Sequence, residues 1–440
     1  MSGVLTGGTV VTSLDPLEIS QGDVYIADRR VADSGYGGAR DCSGCIVIPG
    51  NVCAHTHLYS ALARGMPYAL EPPRNFVEIL QRVWWRLDRA LDEESIRASA
   101  LVGGMEALLS GTTTLVDHHA SPNAIDGSLD VIAAALGEVG ARSVLCYETT
   151  DRDGPERARS GLAENRRFLA RVGREQPPLV RGLVGAHASF TLDDETLAAC
   201  AGVAGEFAAG LHVHAAEDGA DERDALARHG TRVVERLVRA GALDERTLLA
   251  HGVHLDSAEI AAVHAAGATV AHNARSNMNN GVGRAPVEEL GARLALGTDG
   301  IGADMFEESH SAFFRLHEED LGAAAGWPLA RLAESARLAG RVFGEPLLGT
   351  LVPGAPADLV VLDYPAPAPL DEGSFAGHWV FALSSRHVRD VMVGGQWVVQ
   401  DRSLTRLDAD EVAAAAFAQA ERLWERLDET PPHRFEPKGG

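Results

Sequence analysis

Two histidines separated by one residue, His55 and His57, end the run Asn51-Val52-Cys53-Ala54-His55-Thr56-His57. In an extended backbone, residues two apart project to the same side, so both imidazoles can reach one ion. Among 17 histidines, one such pair is a weak signal. A second pair ends the run Leu211-His212-Val213-His214, with Glu217 three residues on. His214, at the tip, is the expected third ligand, and His212 is expected lower down, buried and hydrogen-bonded. Glu217 can reach over an ion to move protons. His251, His272 and Asp299 also follow short apolar runs, in Ala250-His251-Gly252, Ala271-His272-Asn273 and Leu296-Gly297-Thr298-Asp299-Gly300. Each alone reads as an ordinary loop residue; their recurrence at such places is what chance would not produce. Imidazole and carboxylate suit Zn, Fe or Mn, and no thiolate is placed to compete. The implied chemistry is water activation on a single divalent ion.

Elements must bring these residues together. Short apolar runs alternate with longer helical stretches from about Pro49 to about Gly344. The runs lie before His55 and at Thr113–Val116, Arg142–Cys146, Val180–Val184, Gly210–His214, Thr247–Ala250, Thr269–Ala271 and Arg293–Leu296. Eight β-then-α units over roughly 250 to 300 residues is the repeat of a (β/α)8 barrel, which builds its site at the C-terminal ends of its strands. The fold class expected is α/β, a distorted TIM-like barrel over residues 51–344. Both chain ends read as short strands with Gly and Pro turns, so 1–50 and 345–405 are expected to form one small composite β-sandwich domain. Residues 406–440 are a C-terminal helix and tail, with an amphipathic stretch from Asp408 to Asp428 packing on the surface.

Bulk properties narrow the classes. The formal charge of -23 argues against nucleic acid as a partner and against anionic membrane surfaces. No apolar run reaches membrane-span length, and the first residues lack the pattern of an export signal. Five cysteines make no disulfide framework, so the expected location is the cytoplasm. Cys42 and Cys45 form a C-x-x-C that reads as a turn before an apolar run. Lys438 is the only lysine, which removes Schiff-base and pyridoxal chemistry and any P-loop.

On these motifs the chain resembles the amidohydrolase superfamily, in its mononuclear branch of deaminases and triazine hydrolases. The flanks Ile48-Pro49-Gly50-Asn51 and Gly354-Ala355-Pro356-Ala357-Asp358-Leu359 fit as well. Segments around Trp84–Ser95, Asp117–Pro122, Glu148–Arg152, His272–Asn280 and Gly297–Glu308 are similar to SsnA-type aminohydrolases. Ala274 departs from the Pro that many deaminases carry there, which bears on the adjacent loop and so on the substrate. The resemblance implies one divalent ion per chain, Zn2+ before Fe2+ or Mn2+, on His55, His57, His214 and Asp299. It also implies Asp299 as acceptor of the water proton, Glu217 as proton shuttle and His251 as the residue that orients the water. Binuclear relatives bridge two metals with a carboxylated lysine, and this barrel has none. The expected reaction is hydrolytic deamination of a nitrogen heterocycle such as a purine, pterin or triazine. Dechlorination or dealkylamination of a similar ring is the alternative, and a metal-binding barrel without catalysis the third reading. The expected partners are that small heterocycle and further copies of the chain, as a dimer or tetramer. Substrate contacts are expected from Trp84 or Trp85, His118, His119, Glu148, Arg152, His187, Arg275 and Asn277.

Overall fold

Leu359–Leu362 runs antiparallel to Ile46–Pro49, and that pairing joins the two ends of the chain. Ile46–Pro49 lies parallel to Gly3–Leu14, which pairs with Leu17–Ala27. On the other side follow Val388–Val393, Gln396–Gln400 and Ser403–Leu404, and with Arg30–Ala32 beside Leu17–Ala27 and Gly38–Asp41 beside Gly3–Leu14 the sheet has nine strands. The computed structural model describes residues 2–35 and 37–439. The central strands are apolar at every position because both faces are covered. Ile46, Ile48, Val360 and Leu362 face the large core shared with helix Glu93–Leu109. The alternate residues Val47, Leu359 and Val361 face a smaller core with Leu5, Val24, Ile26 and Met392. Cys42 and Cys45 are in a turn closed by a 2.8 Å bond from the Cys45 N–H to the Cys42 carbonyl, both buried and unbridged.

Between these ends lie the parallel strands β1 (Asn51–Thr56), β2 (Thr112–His119), β3 (Arg142–Tyr147), β4 (Val180–Gly182, resumed as Val184–Ala188), β5 (Leu211–Ala215), β6 (Leu248–His251), β7 (Thr269–His272) and β8 (Leu294–Leu296). Each pairs with the next in chain order. β4 is in two pieces: Val180–Gly182 pairs with β3, and Val184–Ala188 with β5. The ring closes between β8 and β1, where the Thr298 and Asp299 N–H groups donate to the His55 carbonyl at 2.7 and 3.1 Å. Gly297 permits that approach, since a Cβ there would lie 2.5 Å from Asn273 Oδ1 and 2.8 Å from the His55 nitrogen. The fold is therefore the expected barrel with a sheet built from both ends.

Two parts carry more than the alternating pattern foretold. The connection after β1 breaks into a 3-10 turn (Leu58–Ala63), a short helix (Phe76–Ile79), a π-helical turn (Leu80–Trp84) and a further helix (Trp85–Ala90). Such π turns occur often at functional sites. The C-terminal helix, Ala409–Glu429, is capped by the Asp408 carboxylate. It packs on Glu93–Leu109, and Trp424 Nε1–H donates to the Leu62 carbonyl at 2.8 Å. Among the described residues, no helix is long and apolar enough to cross a membrane.

Candidate active site

The strand ends converge on one buried point. His55 is the second-last residue of β1 with His57 just beyond its end, and the barrel closure ties both to Asp299, whose carbonyl accepts from the His57 N–H at 3.1 Å. His214 and His251 stand at the ends of β5 and β6. His251 and Asp299 both adopt positive φ, 74° and 54°. Non-glycine residues hold that conformation at a cost, commonly where a site imposes it. One ligand atom each from His55, His214, His251 and Asp299 lies within 4.8 Å of the others. His57 joins through its Nε2, 2.9 Å from Asp299 Oδ1 and 3.1 Å from His214 Nε2.

The hydrogen bonds behind these rings fix their tautomers. His57 Nδ1–H donates to the His118 carbonyl at 2.6 Å, and His214 Nδ1–H to the His187 carbonyl at 2.8 Å. His251 Nδ1–H donates to Asn277 Oδ1 at 2.8 Å. His55 Nδ1 lies 2.8 Å from Nε2 of His212, whose own Nδ1 faces the Cys146 sulfur at 3.6 Å. His212 is thus the buried, satisfied histidine expected of it. With protons on Nδ1, all four Nε2 atoms present lone pairs inward, the arrangement that outer-shell partners impose on metal-ligating histidines. His55 Nε2 and His251 Nε2 are buried without a partner. His57 Nε2 faces both His214 Nε2 and Asp299 Oδ1, a spot that a proton or a metal cation would fill. Burial pushes the His55 imidazole down to about 3 and holds His214 well below its ordinary value, so both are neutral. Burial also disfavours charge on His57, but Asp299 outweighs it and lifts that ring to about 9. The spot therefore attracts positive charge, and the donor set fits a divalent ion.

One short helix organises the rest. Ala274–Asn280 follows β7. Its Ser276 hydroxyl donates to Asp299 Oδ2, its Asn277 holds His251, and Asn280 Nδ2 donates to Glu217 Oε1 at 3.3 Å. Glu217 Oε2 lies 3.5 Å from His251 Nε2. Burial, and then the nearby Asp299 carboxylate, push the Glu217 carboxyl well above its ordinary range, which favours its protonated form.

A cleft of about 560 Å³ opens on this cluster. His57, His214, Glu217 and Asp299 form its floor, and Tyr59, Phe76, Leu80, Trp84, Trp85 and Phe190 much of its wall. Of the expected substrate contacts, Trp84, Glu148 and His187 line it, as does Trp85. The others are not brought to its wall. His118 lies behind the floor, with Nε2–H to the His212 carbonyl at 3.1 Å and Nδ1 3.2 Å from Glu148 Oε2. His119 is fully buried against Ser121, and burial lowers it to about 3. Arg152 is buried between Glu148 (2.7 Å) and Asp88 (2.5 Å), beneath the Trp85 ring. Arg275 is held by Glu307 and Glu308, and Asn277 stands behind His251. Sequence reasoning missed Asp88, Asn280, Ser276 and Phe190; only the Ser276/Asn280 spacing of one helical turn could have signalled any of them.

Comparison with known proteins gives the following. The Amidohydrolase family is matched over residues 46–398. A 5-methylthioadenosine/S-adenosylhomocysteine deaminase of Pelotomaculum thermopropionicum is 30% identical, over 96% of this chain and 99% of that one. An 8-oxoguanine deaminase of Pseudomonas aeruginosa is 32% identical, over 87% and 88%. The crystal structure of an adenosine deaminase from Xanthomonas campestris with bound zinc superposes with a TM-score of 0.82 at 23% identity, covering 97% of this chain and 98% of that one.

Proposed function

The chain belongs to the amidohydrolase family, and from that premise we propose that it is a mononuclear aminohydrolase that replaces the exocyclic amino group of a purine-like heterocycle by oxygen. The observation that carries this reading is the convergence of four inward Nε2 atoms and the Asp299 carboxylate on one point, with the Glu217 carboxyl between that point and an aromatic cleft. A divalent ion held by His55, His57, His214 and Asp299, zinc in preference to iron or manganese, supplies the Lewis acidity that brings the pKa of water to about 7.

The chain's own groups do the remainder. Asp299, steadied at Oδ2 by Ser276, takes the water proton. His251, whose Nδ1–H is committed to Asn277, aims Nε2 at the water and orients it toward the ring carbon. Glu217 gives its proton to the ring nitrogen beside that carbon. The water oxygen adds, the carbon becomes tetrahedral, and the proton held by Asp299 passes to the departing nitrogen. The C–N bond then breaks as the hydroxyl proton on that carbon returns to the Glu217 carboxylate; ammonia leaves, and the ring keeps a carbonyl. Trp84 and Trp85 are placed to cover a flat ring.

Charge narrows the substrate. Glu148 and Asp218 line the cleft, burial pushes the Asp88 and Asp221 carboxyls there up to about 8 and about 7, and no Arg or Lys lines it among the described residues. A carboxylate or phosphate on the substrate would meet like charge there, so we assign the cleft to uncharged ring amines. Within the family, the His272–Asn280 and Gly297–Glu308 segments favour a place near the SsnA-type aminohydrolases. The homo-oligomer expected from the resemblance is tested by mass in solution.

Metal-replete enzyme should release ammonia from at least one of 8-oxoguanine, 5'-deoxyadenosine and 5'-methylthioadenosine, and prefer these to adenosine monophosphate. Chloride release from a chlorotriazine without ammonia from any amine would favour the dechlorination reading. Silence across the panel would overturn deamination. Metal analysis should give one equivalent per chain.

A further inference from the structure

The residues after the last helix reach the active site. Thr430–Gly439 leaves Ala409–Glu429 and is tied down along its length. The Pro431 carbonyl accepts from Arg89 Nη2 at 2.5 Å, and His433 N–H donates to the Gln81 carbonyl at 2.9 Å. Gln81 Nε2 in turn donates to the Phe435 carbonyl and to Glu436 Oε1, both at 2.8 Å. His433 Nε2 lies 3.4 Å from Asp153 Oδ1, and Lys438 N–H donates to Asp224 Oδ1 at 2.6 Å. Gln81 and Arg89 belong to the broken connection after β1, whereas Asp224 is on helix Gly219–His229 after β5. These two segments carry opposite sides of the cleft, Trp84 and Trp85 on one and Glu217 and Asp218 just before the other. The chain end therefore fastens one wall to the other.

Its side chains back the aromatic wall as well. The Phe435 ring packs edge-on against Trp85 at 5.8 Å and tilted against Phe190 at 6.2 Å, and the His433 ring meets Trp85 at 5.3 Å. Trp85 and Phe190 line the cleft; Phe435 supports them from behind. Farther out, Glu436, Pro437 and Lys438 help line a second cavity of about 770 Å³ that shares Phe76 and Asp218 with the reaction cleft. The tail thus lines an antechamber to the site.

We propose that Pro431–Lys438 is a strap that belongs to the active site, and that Phe435 is a positioning residue which sets substrate affinity and access through Trp85. The substrate part of this inference rests on the deaminase reading; the access part does not. A strap that shapes the wall without touching the reacting atoms alters binding of the substrate and transition state equally, which appears in KM rather than kcat.

The test compares the full chain with Phe435→Ala and with a chain ending at Thr430, taking the exposed Arg434→Ala as control. With the best amine substrate, Phe435→Ala should raise KM about tenfold with kcat within about twofold, and truncation should raise KM further. The zinc-loaded proteins are also exposed to pyridine-2,6-dicarboxylate, and zinc loss is timed. Both variants should lose zinc about tenfold faster than the full chain and the control, because the route to the floor is wider. Equal zinc-loss rates would overturn the strap, as would an unchanged KM after truncation or a loss confined to kcat. If no amine is turned over even by the full chain, the deaminase reading fails while zinc loss still decides the strap.

Discussion

Glu217 is where the chemistry can be dissected most cleanly, because it faces His251 and Asn280 but is not needed to hold a cation. Glu217→Gln preserves the shape and one hydrogen-bond acceptor while removing the transferable proton. It should keep one equivalent of metal by elemental analysis and lose about 10³-fold or more in kcat; near-normal turnover would remove Glu217 from the proton path. The ligands make a different prediction. Stripping the ion leaves His57 and His214 with Nε2 atoms 3.1 Å apart, so chelated protein should melt lower, and zinc at about 1,000 times its Kd should restore about 4 kcal/mol. A melting point indifferent to chelation would mean that no cation is held there. Much of this scale was legible in advance. Alternation in an extended run put His55 and His57 on one side, and the same alternation put His212 below His214. What could not be read were the groups behind the rings, since the His118 and His187 carbonyls are backbone atoms whose positions no side-chain pattern announces.

Among the elements, the helix Ala274–Asn280 shows how adjacency misleads. Arg275 and Asn277 were both expected at the substrate because they follow a strand end. A helix turns about 100° per residue, so neighbours face different ways: Arg275 reaches Glu307 and Glu308, while Asn277 reaches His251. Ser276 and Asn280, four apart, share a side and serve Asp299 and Glu217. Asn277→Ala removes the acceptor that fixes the His251 tautomer. It should lower kcat by about 10 to 100-fold, the usual cost of losing such a support, with metal content kept. Loss of metal together with activity would instead make His251 part of the ion's binding. The strands were readable because each is a short apolar run between turns. The connection from Leu58 to Ala90 was not, because it has neither period throughout, yet it supplies Tyr59, Phe76, Leu80, Trp84 and Trp85 to the cleft.

Across the whole molecule, the end-built sheet and the barrel are joined by a buried ion pair. Arg142, at the start of β3, donates through Nε and Nη2 to the two Asp358 oxygens at 2.7 and 3.1 Å, with both side chains 4% exposed. Asp358 also accepts from the Gly394 N–H at 2.5 Å, and its carbonyl accepts from Gly50 N–H at 3.0 Å just before β1. One aspartate thus touches the barrel, the junction and a sheet turn. The sequence offered Asp358 only as a motif position, since its partner lies 216 residues away and no local spacing links them. Removing one member of a buried pair strands the other's charge, so Asp358→Leu should cost about 3–5 kcal/mol in thermal or denaturant unfolding. Changing Arg142→Met as well removes the stranded charge, and the double variant should recover much of that loss. The pair lies away from the cleft, so folded Asp358→Leu should turn substrate over normally at a temperature where it is native. If the two losses simply add, the residues do not act as a pair, and the sheet is held to the barrel by its apolar face alone.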